Sequence, residues 1–594
     1  MVVTTVIALT QPVRVLAPVR AARWEGGPLE LKRRQLTGEV PLGQTKLAKA
    51  IRSWYTPSTV DFLKQAGFNW VWLTWSVGLD KRTEEEESSR TREYIRLCRQ
   101  RGIRVMGVVS AGRLFLPLEV ANTTRRTQKS PQGTPIPCQD VSLPTRPSVA
   151  CYQANLDEQD WQNEVVTRSL EAVDAGADGV ILEKISSSPD KRASVVNFVR
   201  SVSQKIQISR PAALVVPLLP IELLDDVPQS PWLAIDEGTL PQIRPTSVIL
   251  EGGQVMIAGA SQGPWIDQNL WLFNYADSLS RGRPIILNYQ HTPSEDGVSS
   301  FPSGNRALAM AEAAVFAGSW ALELDDWLRL GLLERDPLAL REWETLAKVQ
   351  DFFVRHSQYL FLPSLVNVAV VVEGTGEMSE IMNLLARRGV QYHVLQKADL
   401  AQVSLAAYNL VAAVNLTPFL PDETRMLSNY VGAGGIAVVN SPNLPEIASR
   451  VGAPHSDPTE EFRDYPMGKG IWRVYGDVIS DPDKFANDVR AAVSFNHRWI
   501  RIWNAPTVLA RTAQATNSKQ RIVHLINYAN EPLDDLQVQV KGNFERVQVL
   551  GPDDAPTRFS KSPSITLTCR SGITEFVLPR LGTYALVVLD SGPS

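Results

Sequence analysis

Residues 169–184, SLEAVDAGADGVILEK, carry the pattern that most restricts what this chain can fold into. Trp161, Val165, Val166, Leu170 and Val173 fall at helical spacing and give one apolar face. Gly176 then stands where a helix ends in a left-handed residue. Val180-Ile181-Leu182 is a short, continuously apolar run, the mark of a strand covered on both faces, and it finishes in Glu183. The same helix, glycine and strand order recurs in residues 59–75, 88–110 and 305–324, closed by Gly67, Gly102 and Gly318. Residues 213–218, 246–250 and 284–290 supply further strands, 50–55 a possible first one, and 232–235 a strand or a connection. Repeated βα units of this number and length point to parallel strands closed into an eight-stranded (β/α)8 TIM barrel over residues 47–340. The carboxyl ends of such strands carry the functional groups, which makes Glu183 a site candidate beside the plainer reading of a solvated strand end paired with Lys184.

The rest of the chain divides around this unit. Residues 1–46 are expected to be an N-terminal extension packed on a later domain. Residues 113–150, rich in Pro, Thr and Ser, follow the third strand and are too long for a simple connection. They are expected to fold over the strand ends as one wall of a pocket. The Glu84–Glu87 run is expected to be a solvated loop or a helix start, not a metal site. Residues 341–363 suggest a linker helix, and 364–500 a flavodoxin-like, glutamine amidotransferase-like α/β domain. That domain has no cysteine and therefore no thiol nucleophile. Its glycine cluster, Gly432-Ala433-Gly434-Gly435, follows a helix, whereas a dinucleotide loop follows a strand. Residues 501–594 show short strands separated by Pro, Gly, Asn and Asp, as in an antiparallel β-sandwich.

Charge narrows the partners. A formal net charge of −3 and the lack of any long basic tract give no case for nucleic acid or an anionic membrane. No apolar run reaches membrane-spanning length. The six histidines and four cysteines lack metal-ligand spacing, so neither a metal nor a cofactor is expected. Cys138 and Cys151 share one loop and could pair if exported; free thiols are the expectation, as is a cytoplasmic location.

Barrel, flavodoxin-like domain and sandwich, in that order, resemble the β-galactosidases of glycoside hydrolase family 42 and related glycosyl-hydrolase-like families. RSWYTPSTVDFLKQAGFNWVWLTWS at 52–76 is similar to their opening strand, helix and second strand. CYQANLDEQDW at 151–161 leading to DAGADGVILE is similar to the step into the fourth strand. AMAEAAVFAGSWALEL at 309–324 resembles the closing helix and strand, and IVHLINYANEP at 522–532 the start of the sandwich.

The resemblance implies a saccharide substrate cleaved between two carboxyl groups, and a homo-oligomer formed through residues of about 365–475. The family's acid/base Glu ends the fourth strand after an Asn; here the pair is Leu182-Glu183, so Glu183 takes that role without the amide. Its nucleophile ends the seventh strand. If 246–250 is that strand, Glu251 is the nucleophile; if 284–290 is, the end Asn288-Tyr289-Gln290-His291 has no carboxylate. Asp236, Glu237, Glu323, Asp325 and Asp326 are reserve carboxylates, the last three alternatively helix caps before residues 327–333. Trp75, Trp265, Tyr289 and His291 are sugar platforms or packing residues, and Asp325 is a further substrate contact. As strand-end residues, Glu183 and Glu251 should tolerate Gln at a cost within about 0.5 kcal/mol. The alternative function is a catalytically inactive carbohydrate-binding or scaffold protein on a glycosidase fold.

Overall fold

The structure is a computed structural model, and it describes residues 18–24, 27–38, 55–138, 149–185, 191–226, 230–244, 248–251, 254–257, 265–290, 305–324, 326–374, 378–441, 461–476, 478–479, 481–494, 497–503, 505–515, 519–552 and 565–592.

Eight parallel strands close into a barrel in chain order. They are Arg20–Trp24, Trp70–Ser76, Arg104–Ser110, Gly179–Glu183, Leu214–Leu219, Leu233–Thr239, Ile285–Gln290 and Trp320–Leu324. Closure runs through the first strand, which pairs with both the eighth and the second. This strand lies inside residues 1–46, so the described part of that stretch contributes to the barrel, where an extension packed on a later domain was expected. RAARW lacks the long apolar run that marks the other strands, because Ala21 and Ala22 need only small side chains where the barrel closes. The expected first strand, 50–55, falls outside the described residues except for Tyr55, which leads into helix Pro57–Gln65.

Alternation sorts each strand into an inner and an outer face. Ala21, Trp70, Trp72, Met106, Val108, Ile181, Val216, Leu218, Trp232, Ala234, Ile286 and Ala321 form the packed interior. Their neighbours Val71, Leu73, Val180, Leu182, Leu233, Ile235, Leu287 and Leu322 face outward into the core beneath the helices. Helix Gln159–Asp174 shows the local logic of the repeat, with Gly176 at φ 105° turning the chain into the fourth strand.

Two connections depart from the repeat. Between the fifth and sixth strands the described residues hold only the short 3-10 turn Ile221–Asp226. After the sixth, Gln242–Arg244 pairs antiparallel with Trp265–Asp267, and between them Val248–Glu251 pairs antiparallel with Gln254–Ile257. The run 232–235 is thus the start of the sixth strand, and 246–250 is no barrel strand.

Past helix Pro337–Arg355, a six-stranded sheet takes the spatial order Tyr392–Gln396, Val368–Val372, Leu410–Ala413, Ile436–Asn440, Gly470–Tyr475, Phe462–Met467, parallel except for the last. This is the doubly wound order of a flavodoxin-like domain with an antiparallel edge. The C-terminal part packs two four-stranded antiparallel sheets around Val523, Leu525, Val538, Phe576 and Val587. Arg511, in the C-terminal part, ties it to a barrel helix and to the segment that leads into the six-stranded sheet. It donates to the carbonyls of Val315, Leu360 and Leu362 and to Ser364 Oγ, and burial lowers its pKa to about 10.

Cys138 and Cys151 are joined in a disulfide, which corrects the expectation of free thiols. Cys151 lies in strand Ala150–Gln153, paired antiparallel with Arg113–Leu116, so the bond fastens the long third connection to this hairpin. Sequence placed the two cysteines in one loop but could not show that the hairpin brings their backbones together. Closing a loop of this size contributes about 3 kcal/mol in the chain-entropy account. Cys138→Ser should therefore lower unfolding free energy by about 2–3 kcal/mol in urea titration, and reduction of the wild type should match it.

Candidate active site

The strand registers decide which side chains meet at the mouth. In an eight-stranded barrel of shear 8, the level side chain advances one residue per strand, and alternate strands share a layer. The pairings here put Thr74, Glu183, Asp236 and Glu323, from the second, fourth, sixth and eighth strands, in one upper layer. Directly beneath lie Arg23, Val108, Leu218 and Asn288, from the odd-numbered strands. Three carboxyl groups therefore share the rim of one mouth.

The lower layer holds two of them. Arg23, 4 % exposed, forms an ion pair with Glu183 across the barrel, Nη2 to Oε2 at 2.5 Å. Asn288, fully buried, donates from Nδ2 to Asp236 Oδ1 at 3.1 Å. Its Oδ1 is buried and has no hydrogen-bond partner among the described residues, at a cost of about 1–3 kcal/mol.

Glu183 is also fixed through its backbone. Its carbonyl accepts from the N–H groups of Ala111 and Gly112, at 3.0 and 3.3 Å. Only glycine fits at 112, since a Cβ there would overlap the Lys184 carbonyl oxygen. Lys184 itself takes φ 60°, so the chain turns off the strand line directly after Glu183. The third connection starts and ends at this spot: Gly112 O accepts from Ala154 N, and Trp161 Nε1 donates to Ala111 O.

Behind the hairpin stands Glu84, which is 4 % exposed and not the solvated residue the acidic run suggested. Its Oε1 accepts from Ser76 Oγ and from the N–H groups of Val77, Gly78 and Leu79, all within 3.1 Å, and its Oε2 faces Arg168 at 3.4 Å. Burial pushes this carboxyl up to about 7, against the lowering pull of Arg168 and these donors. The loop so held offers the Gly78 carbonyl to Phe115 N of the hairpin at 2.8 Å.

The other sequence candidates lie elsewhere. Trp75 is 7 % exposed and faces outward, with the Arg92 guanidinium over its ring. Tyr289, also outward and buried, donates to Oε2 of Glu312 at 3.0 Å. Neither reaches the mouth: alternation gives the inward places to Thr74 and Asn288. Glu251 ends the antiparallel strand Val248–Glu251, and the seventh barrel strand is Ile285–Gln290, so the strand-seven place that made Glu251 the nucleophile is not its own. Its side chain, those of Glu237, Trp265 and Asp326, and all of His291 and Asp325 lie outside the described residues. Glu323 sits within the eighth strand and is no helix cap. Arg23 and the pairing of Asn288 with Asp236 were missed because both need the closed barrel; the only sequence signal was an inward-phased Arg in RAARW.

No protein-family model matches the chain, and no curated protein matches it. Solved structures do. An α-L-fucosidase isoenzyme 2 from Paenibacillus thiaminolyticus is similar over 97 % of this chain and 100 % of its own, with 11 % identity and a TM-score of 0.64. A β-galactosidase from Rahnella sp. R3 covers 96 % and 98 % at 13 % identity and a TM-score of 0.57. A glycoside hydrolase family 42 β-galactosidase from G. stearothermophilus covers 97 % and 98 % at 11 % identity and a TM-score of 0.58. The chain has the glycoside hydrolase family 42-like fold along its whole length.

The buried ion pair changes the cost of altering Glu183. Removing one partner of such a pair costs about 3–5 kcal/mol, well above the 0.5 kcal/mol of an ordinary surface change. Glu183→Gln keeps a hydrogen-bond acceptor and should lose about 2–3 kcal/mol. In a double-mutant cycle with Arg23→Met, urea unfolding should show a coupling above about 1 kcal/mol. A coupling near zero would mean that the ion pair contributes nothing to stability.

Proposed function

We propose that this protein is a glycoside hydrolase that cleaves a saccharide at the carboxyl-end mouth of its barrel, with Glu183 as one of two working carboxyl groups. The observation that carries this is the upper layer itself: Glu183, Asp236 and Glu323 converge at one level, with Glu183 held by Arg23. Glycosidic cleavage needs a carboxyl group on each side of the bond. Fold alone does not fix the reaction, so the site has to support it. The relation to β-galactosidases and an α-L-fucosidase makes those two sugars the first to try.

Turnover of 2,4-dinitrophenyl glycosides, the β-D-galactoside and α-L-fucoside among them, tests the reading. Wild type should hydrolyse at least one, and Glu183→Gln should lose at least about 100-fold in kcat/KM while remaining folded by circular dichroism. A second reading is a carbohydrate-binding or scaffold protein, favoured by one observation: the seventh strand ends in Asn288-Tyr289-Gln290, without a carboxylate. Saccharide binding with no turnover of any glycoside would select it.

The second domain serves assembly in this proposal. Its sheet switch point is bridged by protein groups: Glu373 accepts from Thr417 N at 3.0 Å, and Lys397 reaches Glu373, Thr417 and the Pro418 carbonyl. A homo-oligomer through residues of about 365–475 is expected by light scattering; a monomer at micromolar concentration would remove it. The Cys138–Cys151 bond suits an oxidising compartment better than the cytoplasm.

A further inference from the structure

We infer that Asp236 is the second catalytic carboxyl group, acting as the general acid opposite Glu183, and that Asn288 is its positioning residue. The inference rests on the glycosidase reading and names the partner that reading leaves open. Strand seven, where the resemblance puts a nucleophile, ends without a carboxylate. Its inward residue near the mouth is Asn288, and the one side chain this amide is seen to hold is Asp236 on the neighbouring strand. The amide is fully buried and leaves Oδ1 without a hydrogen-bond partner among the described residues. An apolar residue would avoid that cost, so its presence is explained by the carboxyl group it orients.

The Asn288 hydrogen bond singles out Asp236, and the strand spacing agrees with it. Asp236 is two strands from Glu183, so their strand axes stand about 9.5 Å apart, and inward-pointing side chains bring the carboxyl groups closer. Glu323 is four strands from Glu183, on the far side of the barrel, beside Arg23 in register. A two-strand spacing is compatible with the separation of about 6.5–9.5 Å that admits a water beside the sugar.

The Arg23 ion pair marks Glu183 as the base, which gives Asp236 the part of the acid. Glu183, the anion of the Arg23 pair, takes a proton from a water whose oxygen bonds to the anomeric carbon. Asp236 gives its proton to the glycosidic oxygen as the bond from that oxygen to the anomeric carbon breaks. The bond's electron pair stays with the departing alcohol. Exchange of one proton with solvent returns Glu183 to the anion and Asp236 to the acid.

Leaving-group dependence tests this. A methyl glycoside needs protonation of its leaving oxygen, whereas 2,4-dinitrophenolate leaves unaided. For the sugar that wild type hydrolyses, Asp236→Asn should lose at least about 100-fold in kcat/KM on the methyl glycoside and less than about 10-fold on the dinitrophenyl glycoside. Glu183→Gln should lose at least about 100-fold on both. Asn288→Leu should shift the same ratio in the same direction by a smaller factor, which a general loss of packing would not do. The first-formed sugar should have inverted configuration by proton NMR. Melting curves accompany each variant, and Asp236→Glu, which keeps the acid, should recover part of the methyl glycoside activity should Asp236→Asn fold poorly. Equal losses on both substrates in Asp236→Asn, or wild-type rates, would overturn the role of Asp236 while the glycosidase reading stands. A retained product would overturn the water step. Wild type inert on every glycoside would sink the glycosidase reading itself.

Discussion

Closure of the barrel is the constraint on which the site depends. The first strand joins the eighth to the second, and no open sheet would bring Arg23 across to Glu183. Once eight strands close with a fixed shear, the layers of inward side chains are no longer free to vary. Asp236 and Glu183 then stand at one level although the fifth strand lies between them. The bulky lower interior, with Trp70 and Trp232 edge to face at 5.0 Å, fills the barrel beneath them and holds the rim at its height.

The chain holds these carboxylates in two different settings. Glu84 and Glu312 are structural. Glu312 is fully buried and accepts from Asn269 N and Nδ2, Tyr289 Oη and Tyr528 Oη, and its pKa is raised by burial against those hydrogen bonds. It thereby links the seventh barrel strand and a barrel helix to the first residues past a sandwich strand. Glu84 organises the loop after the second strand, which in turn carries the hairpin beside Glu183. Such groups are satisfied on every side by their own chain. Glu183 and Asp236 differ in being partly exposed at the carboxyl end of the barrel, each bonded to a donor from the layer below. In the proposed reaction these fixed groups would stabilise the transition state, since they need not reorganise.

The sequence by itself determined the parts that rest on local pattern. Helix, glycine and buried strand in residues 169–184 placed Glu183 at a strand end, because the switch in apolar period and a left-handed glycine need no distant contact. The same local signals marked the order of barrel, flavodoxin-like domain and sandwich.

The tertiary structure decided everything that depends on which strands neighbour one another. RAARW looks like loop until it has strands on both sides, and the run at 246–250 looks like a barrel strand until it folds back on Gln254–Ile257. Trp75 and Tyr289 were aromatic near strand ends, but alternation puts both on the outer face, and which face is inner is decided only when the barrel closes. Arg23 with Glu183, Asn288 with Asp236 and Cys138 with Cys151 are meetings of residues distant in sequence or turned toward each other by a hairpin. Such pairings follow from register and closure, which are properties of the assembled sheet and leave no imprint on any one segment.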